Sequence, residues 1–168
     1  MSSNPSNPRQ TAARLLAFLR QLKGDRGAMA DLRCALSPAR RSRAWPLLAR
    51  LGGIDNRTIE TVAGLFAYHP NEADTGNIGA TCRRLTAENS TFESRFRRLL
   101  SCDRRVELCD RLRPVVLAAK AKGVPVNYEG LFVDLSYWGD NVKAQWAREY
   151  WGAAEAEESP AASEATTA

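Results

Sequence analysis

Enzymatic chemistry in this chain would have to be built from one histidine, four cysteines and nineteen acidic residues, and their spacing limits what they can do. Proton transfer needs a base held against a partner, but His69 stands beside Pro70 with no acid or nucleophile at a fixed interval. A histidine in that place stabilises the carbonyls of a helix end. Cys34, Cys82, Cys102 and Cys109 share no metal-finger spacing. They are expected as thiols, with Cys102 and Cys109 serving as small core residues on one face of a helix. Asp103 and Glu107, four apart, could grip a metal ion, yet Arg104, Arg105 and Arg111 interleave with them and make surface ion pairs the better reading. The run Gly76-Asn77-Ile78-Gly79 resembles a phosphate-cradling turn, but lacks the preceding strand and the Gly-Lys-Ser ending. A tight turn packing two helices is the reading preferred. No catalytic set, metal site or cofactor site is expected, so the chain is read as a non-enzyme.

Binding chemistry is better supplied. Twenty arginines stand against four lysines, and nine of the arginines fall between Arg83 and Arg113. The formal charge is +5, but the segment after Gly152 holds four of the acids, Glu155, Glu157, Glu158 and Glu164. Setting these aside leaves fifteen acids against twenty-four bases, a body of about +9. Such a surface attracts polyanions, and guanidinium favours phosphate because it presents two parallel donors. Arg83, Arg84, Arg95, Arg98 and Arg105 are candidates on this ground. No helix-turn-helix, zinc finger or aromatic strand accompanies them, so backbone contact without base readout is indicated.

These groups require a helical scaffold. Apolar residues recur at helical intervals throughout, and no stretch alternates long enough for a sheet. The expected fold is all-α, a compact bundle of about eight or nine short helices, in one body or two packed sub-bundles. Helices are expected after Asn7-Pro8 (Leu15, Phe18, Leu19, Leu22), from Asp25 (Met29, Leu32, Leu36), around Pro46, and from Asp55 or Asn56 (Ile59, Val62, Ala63, Phe66). Asn77 caps a fifth, carrying Ile78, Cys82 and Leu85 inward, and Ser90 with Glu93 forms a capping box for a sixth. From Asp103 the stripe Val106, Leu112, Val115, Ala119 continues to Gly123, with a break or kink near Arg113 imposed by Pro114. Two more follow, one with Tyr128, Leu131 and Leu135, and one capped by Asp140 with Val142, Trp146 and Tyr150. The four tryptophans are expected mainly in the core. Residues 1–8 and the acidic tail 152–168 are expected to be flexible around a domain of 9–151. With no charged-then-apolar leader and no run near the ~18 apolar residues of a membrane span, a cytoplasmic protein is expected.

Several stretches carry a resemblance. They are Asp25-Arg26-Gly27 with Leu32-Arg33, Ala44-Trp45-Pro46-Leu47-Leu48, Val62 to Pro70, Gly76 to Ala80 with Arg83-Arg84-Leu85, Phe92 to Phe96, and Trp146 to Trp151. In this order and spacing the chain resembles the CasB small subunit of the type I-E CRISPR Cascade complex. The resemblance implies an all-helical, non-catalytic subunit, present as two copies. Its implied partners are crRNA, target DNA including the displaced strand, and the CasA-, CasC-, CasD- and CasE-type subunits. By position it adds Arg33, Arg57, Arg95, Arg104 and Lys143 as backbone-binding residues, while Cys34, Ser101, Asp140 and Asn141 stand where relatives can carry a base. A free-standing DNA-binding regulator and a purely structural helical scaffold are the alternative readings.

Overall fold

The computed structural model describes residues 7–152. Among them are nine α-helices and no strand, with one isolated parallel bridge between Glu72 and Val126. The helices are α1 (Pro8–Leu22), α2 (Arg26–Arg33), α3 (Trp45–Leu48), α4 (Arg57–Tyr68), α5 (Ile78–Glu88), α6 (Phe92–Leu100), α7 (Arg105–Lys122), α8 (Tyr128–Ser136) and α9 (Asp140–Ala147). Short 3-10 turns flank α3 and follow α2, and a π turn over Arg148–Gly152 continues α9. Pro8 is the first residue of α1, capped by Asn7. The rest of the expected flexible N-terminus, 1–6, and residues 153–168 of the acidic tail lie outside the described residues.

Side-chain caps start helices at Asp25, Asn56 and Asn77, where the sequence placed them, and at Asn127, which was not foreseen. Asp25 Oδ1 accepts from Ala28 N at 3.0 Å, Asn56 Oδ1 from Ile59 N at 3.2 Å, Asn77 Oδ1 from Ala80 N at 3.3 Å and Asn127 Oδ1 from Gly130 N at 3.0 Å. Two expected starts differ. Asn89, rather than a Ser90–Glu93 box, organises the entry to α6: its Oδ1 accepts from Thr91 N and Thr91 Oγ1, at 3.1 and 2.7 Å. Glu93 instead reaches forward to Arg97, 2.6 Å away and one turn on, where the opposite charge outweighs a backbone amide. Gly139 occupies the position before α9, and Asp140 is its first helical residue, where an acid still favours the positive helix end.

The centre of the molecule is α4. Every residue from Thr58 to Ala67 is buried, because α1, α2, α7 and α8 all pack on it. Around α5 gather α6, α7, α9 and the π turn, with α7 bridging to α4. One hydrophobic cluster, from Ala12 to Tyr150, runs through both groups, so they form one body. The Gly76–Gly79 turn is a packing device, as expected: a Cβ on Gly79 would lie 2.1 Å from the Trp146 carbonyl oxygen, so α5 and α9 touch backbone to backbone.

Pro114 does not split α7. The proline is exposed, so the Asp110 carbonyl it leaves without an amide lies on the outer face, while Leu108, Leu112, Val115, Val116 and Ala119 hold the inner face in the core. Because the helix begins at Arg105, its register buries Leu108 and Cys109 and leaves Val106 49% exposed, correcting the expected stripe. Cys102 and Cys109 are both buried, but Cys102 precedes the helix and the two do not share its face. Burial pushes the Cys82 and Cys109 thiols up, as expected of core thiols.

Candidate nucleic-acid interface

Burial on one side of α6 and α7 dictates what the other side presents. In α6, Phe92, Phe96 and Leu99 are buried, which places Arg95 and Arg98, three apart, on the exposed side. The Arg95 guanidinium stands 5.6 Å from the Phe92 ring centroid, a cation–π contact that restrains it without neutralising it. Facing them, α7 turns out Asp110, Arg111 and Pro114, and the two helices enclose a hollow of about 320 Å³.

Asp110 also lines a second, narrower hollow of about 140 Å³, between α4 and α7, into which Arg57 and Arg113 project. Arg57, the first residue of α4, pairs with Asp110. Arg113 continues the surface: it donates to the Tyr68 hydroxyl at 3.1 Å and lies 5.0 Å from the Tyr68 ring centroid. Tyr68 lines a third hollow, of about 370 Å³, with Arg33, Arg40 and Lys120, and Arg33 stacks 5.9 Å from the same ring. Three hollows thus join through Asp110 and Tyr68 into one stripe. Eight cations line it, and Asp110 is the sole acid among its lining residues.

Of the nine expected binding residues, Arg33, Arg57, Arg95 and Arg98 come together here. Arg104 and Arg105 are exposed at the start of α7, outside the linked hollows. Neither makes a salt bridge among the described residues, although two cations at a positive helix end cost local stability, about 0.3–1 kcal/mol each. Arg84 is exposed on α5 and Arg83 is half-buried beside it, correcting the expectation that both point to solvent. Lys143 is committed elsewhere: its Nζ lies 3.0 Å from Asp103 Oδ1 and 5.7 Å from the Trp138 ring. The stripe adds Arg40, Arg111, Arg113 and Lys120, which the sequence reading did not assign to binding. The spacing of Arg113 and Lys120, seven apart, would have paired them on one helix face had Pro114 not been taken as a break.

Other cations are spent on structure. Arg41 forks onto the fully buried Glu60 at 2.8 and 2.7 Å and also meets Asp55, which raises its affinity for its proton, the Glu60 hydrogen bond first. Arg43 pairs with Asp31 at 3.2 Å, so the Arg40-Arg41-Arg43 knot leaves Arg40 for the stripe. The expected pairing of acids with neighbouring bases holds in Glu107–Arg111, at 3.4 Å, and among the described residues no cluster of three or more potential ligands could hold a metal. His69 is buried, and its Nε2 lies 2.7 Å from the Val124 carbonyl oxygen. Its ring therefore joins the end of α4 to the segment after α7, while its backbone N–H caps α4 by donating to the Leu65 and Phe66 carbonyls at 3.0 and 3.1 Å. Trp146 is fully buried under Asp134, to which its indole donates at 2.8 Å, and the other three tryptophans are partly buried. No helix among the described residues is long and apolar enough to cross a membrane.

Fold and surface define an all-helical protein with a continuous cationic stripe. The chain belongs to the CRISPR-associated protein Cse2 family, whose model matches residues 16–151. It is similar to a Cse2-family CRISPR-associated protein from Thermus thermophilus, at 26% identity and a TM-score of 0.71, covering 84% of this chain and 97% of that one. It is also similar to a structure of CasB from Thermus thermophilus, at 28% identity and a TM-score of 0.68 over the same shares. The M. ruber CasB structure shares the fold at 22% identity and a TM-score of 0.67, covering 91% of this chain and 97% of that one. No curated protein sequence matches. The family found is the one the sequence resembles.

Proposed function

We propose that the protein is the non-catalytic small subunit of a type I-E Cascade complex. In this reading it grips the phosphate backbones of crRNA and target DNA, above all the displaced strand, and so holds the R-loop open. The observation that carries the reading is the stripe itself, eight cations and one acid joined across α2, α4, α6 and α7. Membership of the Cse2 family supports the placement in a CRISPR system. Exchanging a DNA duplex for an RNA–DNA heteroduplex is nearly balanced in energy, so a few backbone contacts decide whether the open state persists. Contacts of this kind carry no sequence information, which suits a complex whose specificity resides in its guide. Two copies of the chain, with CasA-, CasC-, CasD- and CasE-type subunits as neighbours, complete the proposal. Its test is the reconstituted complex: omission of this subunit should shorten R-loop lifetime on matched DNA, and an unchanged lifetime would refute it.

A further inference from the structure

The forks of the arginines differ in one informative way. Arg20 meets both oxygens of Glu72 through Nε and Nη2, each at 2.9 Å, and Arg41 meets both oxygens of Glu60 through the same pair of nitrogens. Arg57 uses only half of its fork. Its Nη2 pairs with Asp110, while its Nε is buried and has no hydrogen-bond partner among the described residues. Buried donors are almost always satisfied, so the half-filled fork of Arg57, a residue that lines the α4–α7 hollow, marks a place for an acceptor once Asp110 moves aside.

The hollow suits one particular acceptor. Its volume of about 140 Å³ is that of four or five waters at roughly 30 Å³ each, room for one phosphate group. Arg113 supplies a second guanidinium, restrained by Tyr68. Ala35, Leu36 and Cys109 supply the apolar part of the lining, and Thr61 and the charged side chains supply the rest. The Cys109 thiol is pushed up by burial and stays neutral, so it does not compete. Asp110 is 60% exposed at its side chain against 27% for Arg57, which makes it the outer member of the pair and free to swing away.

We propose that this α4–α7 hollow is a single-phosphate subsite whose donors are Arg57 Nε and the Arg113 guanidinium, and that Asp110 is a tethered competitor which a phosphodiester displaces. The source of that phosphodiester rests on the nucleic-acid reading above. Asp110, held through Nη2 alone, fills half of this fork; a phosphodiester, with two non-bridging oxygens, can fill both halves once Asp110 has moved. The competitor blunts binding of isolated small anions and yields to a strand held at several points along the stripe, since only the strand recovers the loss through neighbouring contacts.

The test uses the full chain, labelled single-stranded oligothymidine, and the Arg57 Nε–Hε resonance assigned through Arg57→Lys. D110N removes the competitor from an exposed position and should tighten oligothymidine binding about three- to tenfold at moderate salt, with melting unchanged. R57K keeps the charge and loses Nε, so it should weaken binding several-fold, and D110N should give no gain in its presence. Binding that D110N leaves unchanged or weakens would overturn the subsite, as would an R57K protein, folded by circular dichroism, that binds like the wild type. Should R57K fail to fold, the D110N result and the resonance decide. Should the wild type bind no oligothymidine at low salt, the nucleic-acid reading fails, and inorganic phosphate titrated into D110N tests the subsite separately. A downfield shift of Arg57 Hε is expected, and no shift would overturn it.

Discussion

Salt should weaken single-strand binding by an amount that the stripe fixes. Of its eight cations, Arg57 is paired with Asp110 and Arg111 with Glu107, leaving Arg33, Arg40, Arg95, Arg98, Arg113 and Lys120 without a salt bridge among the described residues. Six phosphate contacts on a single strand, at about −0.7 each, give a log–log salt slope of roughly −4. Affinity should then fall about 300-fold when salt rises fourfold. Replacing Arg95 and Arg98 with alanine removes two contacts, and the slope should relax to about −3 while helix content holds, since both side chains are exposed. Fluorescence anisotropy of a labelled oligothymidine across a salt series measures both slopes. A wild-type slope near zero, or a double variant with the wild-type slope, would refute the assignment of these side chains to phosphate.

Three further outcomes test the frame that carries the stripe. Gly79→Ala should destabilise the fold by about 3 kcal/mol or more, because its new Cβ would meet the Trp146 carbonyl oxygen at 2.1 Å and that oxygen belongs to backbone that cannot turn away; denaturant unfolding reads this directly. Arg41→Ala should cost about 3 kcal/mol, since it leaves Glu60 buried and fully shielded from water without its bidentate partner, and thermal melting should show the loss. Burial raises the Asp134 carboxyl above its ordinary value of 3.8, against the lowering effect of the Trp146 hydrogen bond. The folded state therefore binds the Asp134 proton more tightly than the unfolded state, so stability contributed by this group falls as pH rises from about 3.8 through the folded value. Asp134→Asn, which keeps an acceptor for the indole, should flatten that part of the pH–stability curve.

Helix starts were the most legible part of this fold, because Asn7, Asp25, Asn56 and Asn77 act through hydrogen bonds to residues two or three positions on. Less legible were features decided by residues distant in the chain. The period of α4 suggested a single inward stripe, yet packing by four helices buries it on every side. Pro114 carried a local signal for a break that the buried face of α7 overrides. Ser90 and Glu93 had the spacing of a capping box, but Arg97 offered Glu93 a better partner. For the surface, local charge density found Arg95 and Arg98, and the family resemblance pointed to Arg33 and Arg57. Arg113 joins them through the hollow it shares with Arg57, and Arg40 and Lys120 through the one they share with Arg33, with Tyr68 placed by the fold between the two. Lys143 shows the converse: a cation well placed by sequence is held by Asp103, an acid 40 residues away.

Whether the stripe holds the R-loop open is measured most directly by R-loop lifetime in a fully assembled complex on matched target DNA. Arg33, Arg95, Arg98 and Arg113 would be replaced together with alanine, after incorporation of the variant subunit has been verified by native mass spectrometry. Each charge-assisted phosphate contact contributes on the order of 1 kcal/mol, so the lifetime should fall about a hundredfold or more, with the deficit shrinking as salt is raised. A wild-type lifetime for the assembled variant across the salt range would contradict the account.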